Sequence, residues 1–140
     1  EIKYSGWAEP DNLRLFNKTK GRWLTDSAML EQFIPAGSVQ TLQSAMIHIT
    51  YTDLNQYLQK FQLYTTLTAQ DFKTGRVNPG IMHLILYGIL RPGAIFIRKY
   101  FIQYGFLDGF HGFLISSFSA LANFIAYAKL WEMYQNEKNH

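Results

Sequence analysis

The chain contains no cysteine, so it has neither a disulfide framework nor a thiolate metal site. Charge is scarce: 16% of its 140 residues are charged, against about 25% in an average domain. Acidic residues are scarcest in the second half. From Arg76 to Leu107 every formal charge is positive, from Arg76, Arg91, Arg98 and Lys99. There is no Gly-x-Ser-x-Gly, no His-Glu-x-x-His and no glycine-rich phosphate loop, so the common hydrolase, zincin and nucleotide-binding signatures are missing. The four histidines, at 48, 83, 111 and 140, have no metal-ligand spacing among themselves. The chain itself carries no initiator Met and no signal peptide, and its abrupt start at Glu1 is that expected of a fragment.

What the chain has in abundance is apolar surface. Hydrophobic residues make up 48%, including eleven Phe, nine Tyr and three Trp. That excludes disorder and calls for a large interface, a membrane surface or a missing partner domain. Cations beside aromatic and aliphatic side chains suit an anionic lipid surface. No nucleic-acid motif accompanies them. A solvated helix face is the plainer reading of the same charges.

Two segments follow from the patterning. Residues 1–50 read as short strands and loops. Leu13–Phe16 alternates, Asn17–Gly21 is a turn composition, and Arg22–Leu24 is expected to pair back as a hairpin. A second extended run is expected near Val39–Ile49, after Pro35-Ala-Gly37. Residues 51–140 read as helical. Leu54, Tyr57, Leu58, Phe61 and Thr65 recur at helical spacing, with Thr52 as N-cap and Gly75 as stop. Ile81–Leu90 is too short to span a bilayer. Arg91-Pro92-Gly93 is expected to interrupt it before a helix over Ala94–Tyr104. Asp108 is expected to N-cap a last helix from Phe110 to about Tyr134. Phe110 to Ala128 carries no Asp, Glu, Lys or Arg. Its Ser116, Ser119, Asn123 and Tyr127 form one stripe and Leu114, Phe118, Leu121 and Ile125 another, so it reads as amphipathic and non-spanning. The fold class is α+β, mainly α: short strands, then three to four helices.

The ordered set of short motifs carries more than any one of them. Tyr4-Ser-Gly-Trp7, Asp11-Asn-Leu-Arg-Leu-Phe16, Gly21-Arg-Trp23, Glu31, His48-Ile-Thr-Tyr51, Phe96-Ile-Arg-Lys-Tyr100, Gly105-Phe-Leu-Asp-Gly109 and Tyr127-Ala-Lys-Leu-Trp-Glu132 occur in order over nearly the whole chain. Together they resemble the C-terminal part of family-2 glycosyltransferases of the lipopolysaccharide-core glucosyltransferase type. The resemblance implies a GT-A fold whose nucleotide-binding half, with its Asp-x-Asp metal motif, is not in this chain. It implies a nucleotide diphosphate sugar as donor, a lipid-linked glycan as acceptor, and a divalent metal (Mg or Mn) in the full-length enzyme. It places the protein peripherally, on the cytoplasmic face of the inner membrane. The alternative is a membrane-associated helical interaction module without activity.

Within that resemblance, Glu31 is the candidate general base, since a carboxylate among apolar neighbours can be tuned for proton abstraction. A structural ion pair with Arg22 or Arg14 is its plainer role. Leu30 stands where the family often has His. Arg14 is the candidate for the donor diphosphate, because guanidinium pairs with phosphate oxygens bidentately, and otherwise a surface cation. His48 is the position able to reach a metal through a neutral imidazole, or else a core histidine. Trp7, Trp23 and Tyr51 are sugar-stacking candidates, with core packing as the alternative. Arg91, Arg98 and Lys99 are expected to face the membrane.

Overall fold

A computed structural model describes residues 4, 6, 13–24, 32–42 and 53–139. It bears out the fold class: a two-stranded ribbon precedes long helices.

The ribbon differs from the expected hairpin. β1 (Gly21–Leu24) pairs antiparallel with β2 (Gln32–Pro35), opposing Gly21 to Pro35 and Trp23 to Phe33. Leu13–Phe16 joins no strand. Its alternation describes an exposed extended segment equally well, because a period of two does not say whether a partner exists. Asn17–Lys20 does turn: the Asn17 carboxamide accepts from the Thr19 amide and hydroxyl at 3.0 and 2.7 Å, and Lys20 N–H reaches Asn17 O at 2.9 Å. Val39–Leu42 is irregular, and the rest of the second expected run lies outside the described residues. Pro35, expected to separate segments, closes β2 instead. At the end of a two-stranded ribbon a missing amide donor costs little.

α1 (Leu54–Thr74) follows the predicted period. Its N-cap is Asp53, whose carboxylate accepts the Gln56 amide at 2.8 Å; Thr52 lies outside the described residues. At the far end Gly75 caps, but Arg76 takes the left-handed position at φ 60°. Val77 N–H reaches back to Phe72 O at 2.9 Å, which tucks Val77 into the core.

The largest correction concerns the next helix. α2 runs unbroken from Ile81 to Ile102. Arg91-Pro92-Gly93 does not interrupt it. The helix widens over Leu84–Leu90, so that Arg91 N–H donates to Leu86 O, five residues back. Proline lacks an amide and crowds the carbonyl four residues before it. A wider turn just ahead of Pro92 removes that conflict. A second widened stretch, Arg98–Ile102, ends α2, with Gln103 N–H on Arg98 O at 2.8 Å.

A single tight turn, Gly105–Asp108, leads to α3 (Gly109–Lys138). Gly109 sits at φ 60°, the turn role expected of it. Asp108 does not cap α3 through its side chain. Its carboxylate instead accepts the Tyr4 amide at 2.9 Å.

α1 and α3 lie parallel: Tyr57 meets Phe118, Lys129 meets Gln62, and Lys73 pairs with Glu137. α2 runs antiparallel to α3, with Phe96 beside Phe113 and Tyr127 beside Gly88. The Tyr127 hydroxyl also donates to Gly80 O at 3.3 Å. The core sits where the three helices meet: Ala69, Phe72, Val77, Ala126, Tyr127 and Leu130.

Around that core the usual distribution is inverted. Gly88, Gly112, Ser116 and Ala126 are buried at the contacts, while Phe110, Phe113, Leu121, Phe124 and Trp131 run along the exposed face of α3. The polar stripe of α3 is therefore turned inward, and the helix is not amphipathic towards water. Small residues inside and large apolar ones outside are the packing habit of helices in lipid. By length and composition both Ile81–Ile102 and Gly105–Lys138 are long and apolar enough to cross a membrane.

Candidate functional site

Among the described residues neither strand packs against a helix, so the ribbon and the helices form separate surfaces. On the ribbon, strand register brings Trp23 across from Phe33. Phe16 folds over the pair from the preceding segment. Phe16 stacks on Phe33 at 4.1 Å between ring centroids, and Trp23 meets both rings edge-on at 5.4 Å. The trio is self-supporting, yet Trp23 stays 50% exposed. A rigid indole with one free face suits contact with a sugar ring.

Cations lie close to this platform in sequence. Residues 13–24 contain Arg14, Lys18, Lys20 and Arg22 with no acidic residue, and all but Gly21, Leu13 and Leu24 are exposed. Sequence reasoning singled out Arg14 and passed over Lys18 and Lys20 as mere turn residues. Their signal was the absence of a carboxylate across twelve positions. An exposed aromatic platform on a basic segment can hold a group that is part sugar and part phosphate.

Glu31, His48, Trp7 and Tyr51 lie outside the described residues. No group of three or more His, Asp or Glu able to hold a metal occurs among the described residues. The residues on view thus do not make a metal centre, and no chemical step is drawn through one.

The helical surface gathers different chemistry. Arg98 is exposed and Lys99 half-buried near the α2–α3 turn. Arg91 lies two turns away and is exposed, with its guanidinium over the Phe72 and Tyr87 rings at 5.5 and 5.3 Å. It borders a cleft of about 340 Å³ between the three helices. Tyr57, Phe61 and Phe118 pack edge-to-face along one side of that cleft. Thr65, Ser119 and Asn123 supply its polar lining. Nothing in the sequence joined these residues, because each helix contributes only a few.

Lys129 carries an inward cation. Its ammonium touches the Gln62 carbonyl and carboxamide oxygens and the Thr65 and Thr66 hydroxyls, each at 2.9 Å. Neutral oxygens satisfy it without a carboxylate.

Comparison with known proteins bears out the resemblance. The chain is 27% identical over 128 residues to the lipopolysaccharide core biosynthesis glycosyltransferase LpsC of Rhizobium meliloti, covering 90% of this chain and 46% of the relative. It is 30% identical over 137 residues to an uncharacterized glycosyltransferase of Rickettsia felis, with the same two coverages. The chain therefore spans about half the length of the curated relatives it matches. No family model and no solved structure matches it.

Proposed function

We propose that the chain forms the acceptor-side and membrane-proximal part of an inverting glycosyltransferase that uses a nucleotide diphosphate sugar. The observation that carries this is the match to two glycosyltransferases along nine-tenths of the chain. The exposed Trp23 platform on a basic segment supports it independently.

In this reading a hydroxyl of a lipid-linked glycan attacks the anomeric carbon. The new C–O bond forms as the bond to the nucleotide diphosphate breaks, and configuration inverts. Glu31 takes the hydroxyl proton as general base. Arg14 stabilises the charge that develops on the departing diphosphate. Trp7, Trp23 and Tyr51 orient the sugars. The divalent metal, and the Asp-x-Asp motif expected to hold it, belong to the half of the enzyme outside this chain. His48 is proposed as that metal's ligand from this side.

The helices provide attachment to the cytoplasmic face of the inner membrane. The parallel packing of α1 on α3 favours an in-plane disposition. α1 is about 31 Å long at 1.5 Å per residue, and it exposes Asn55, Gln59, Gln62, Gln70 and Thr74 along that length. An upright α3 would carry those groups into hydrocarbon, where each unsatisfied one costs several kcal/mol. Lying flat, α2 and α3 bury their outer apolar faces while α1 stays wet.

The test is Glu31→Gln in the full-length enzyme. Turnover should fall about 10²–10⁴-fold, the usual worth of a general base, with donor affinity within about twofold. Arg14→Ala should weaken donor binding or slow the leaving group. Near-normal turnover in Glu31→Gln would return Glu31 to a structural role.

A further inference from the structure

The geometry points to the Arg91 cleft as a binding site for the phosphate of a single anionic lipid, distinct from any diffuse attraction between the basic surface and a membrane. The inference goes beyond glycosyl transfer and needs neither the donor nor the base. It rests only on the in-plane disposition of the helices.

Arg91 stands at the middle of α2, with ten residues before it and eleven after it in Ile81–Ile102. Ile89 and Leu90, immediately before it, are 60% and 57% exposed. Arg91 is exposed in the chain itself, but once the apolar face of α2 enters a membrane a guanidinium beside it is costly unless an anion meets it. No carboxylate among the described residues does so. Its partners are the Phe72 and Tyr87 rings, which hold the group from one side. Ring contacts of that kind leave guanidinium N–H edges for an acceptor, and a phosphate is the acceptor that matches the fork. The cleft beside it, about 340 Å³, lies in the range of small-molecule sites. Its composition is graded as a lipid is graded. Ser119 and Asn123 can hydrogen-bond a glycerol or ester region, and Phe61 and Phe118 can contact the first methylenes. The exposed aliphatic face of α2 adjoins Arg91, so acyl chains can continue along Ile89 and Leu90.

The widened turn fits this purpose. Leu84–Leu90 ends at Arg91, and each residue added to a turn re-aims the side chains that follow it. Chain geometry and lipid site share one distortion.

The probe is dioctanoyl phosphatidic acid, titrated into the full chain in mild non-ionic detergent, with stoichiometry read by native mass spectrometry. One lipid per chain should bind, and dioctanoyl phosphatidylcholine should bind at least tenfold more weakly. Arg91→Gln should weaken the phosphatidic acid at least tenfold, and Arg98→Gln by less than twofold. A measurement on the unaltered protein guards against misfolded variants. Phenylglyoxal modification of Arg91 should slow at least fivefold with phosphatidic acid present, while that of Arg98 stays unchanged. Equal losses in Arg91→Gln and Arg98→Gln would mean diffuse attraction and overturn the site. Absence of Arg91 protection would do the same. Glycerol phosphate binding as tightly as the lipid would overturn the commitment to an amphiphile.

Discussion

Adding one carbon at Gly112 should open the tip of the helical hairpin. A Cβ built there would lie 1.8 Å from the Gly105 carbonyl oxygen and 2.7 Å from its carbon. Carbon and oxygen rest no closer than about 3.3 Å, so about 1.5 Å must be gained. The obstacle is buried backbone of a tight turn, which cannot rotate aside as a side chain can. Overpacking of this kind costs about 1–3 kcal/mol, and immobile backbone places Gly112→Ala at the upper end. Alanine returns about 1 kcal/mol through helix propensity, leaving a net loss of about 2 kcal/mol. Two other glycines calibrate the estimate. A Cβ at Gly93 meets nothing within 4 Å, so Gly93→Ala should gain about 0.5–1 kcal/mol from propensity alone. A Cβ at Gly88 meets Leu84 Cδ1 at 3.0 Å and Tyr127 Cδ1 at 3.6 Å. Those side chains can give, and Gly88→Ala should fall between the other two. Denaturant unfolding in mild detergent, followed by circular dichroism, ranks the three. If Gly112→Ala proves as stable as Gly93→Ala, the close approach of Gly105 and Gly112 is wrong.

Two further outcomes follow from the cations. Lys129→Met should cost about 1.5–3 kcal/mol, the worth of hydrogen bonds to a charged group. Lys73→Met breaks the exposed pair with Glu137 and a contact over the Tyr134 ring, and should cost under about 1 kcal/mol; equal losses in unfolding experiments would contradict this assignment of roles. Glutamate at Arg91, Arg98 and Lys99 together should release the chain from anionic vesicles, since each cation contributes about 1 kcal/mol near such a surface. Sedimentation unaffected by salt or by the triple change would remove the electrostatic anchor. Alkaline carbonate should extract the unaltered protein, and resistance would mean that α2 and α3 cross the bilayer.

The helices were legible in the sequence because their period is local. Leu54 to Thr65 repeats every three or four residues whatever surrounds it. Strand partners are not local. Leu13–Phe16 and Gln32–Pro35 both sit within reach of Arg22–Leu24, and only the aromatic trio of Phe16, Trp23 and Phe33 decides that β2 pairs while Phe16 caps. The Pro92 rule failed because a turn can widen instead of breaking, and that choice depends on packing against α3. Asp108 before Gly109 reads as a cap, yet an amide 104 residues away claims its carboxylate. On the site, the resemblance, not composition, marked Arg14 and Trp23. The Arg91 cleft is assembled from three helices and has no signature in any one of them.

The Tyr4–Asp108 hydrogen bond also orders events in time. Synthesis proceeds from the N-terminus, so Tyr4 leaves the ribosome long before the residue that seats it. Gly6, at φ 71° and closely faced by the Gln103 side chain, waits for the same turn. Closing a loop of that length is a late step entropically. The opening segment must therefore stay unseated until α2 is made and its tip has turned. With the chain made only as far as α2, Tyr4 and Gly6 lack their partners, and they report when the turn between α2 and α3 has formed.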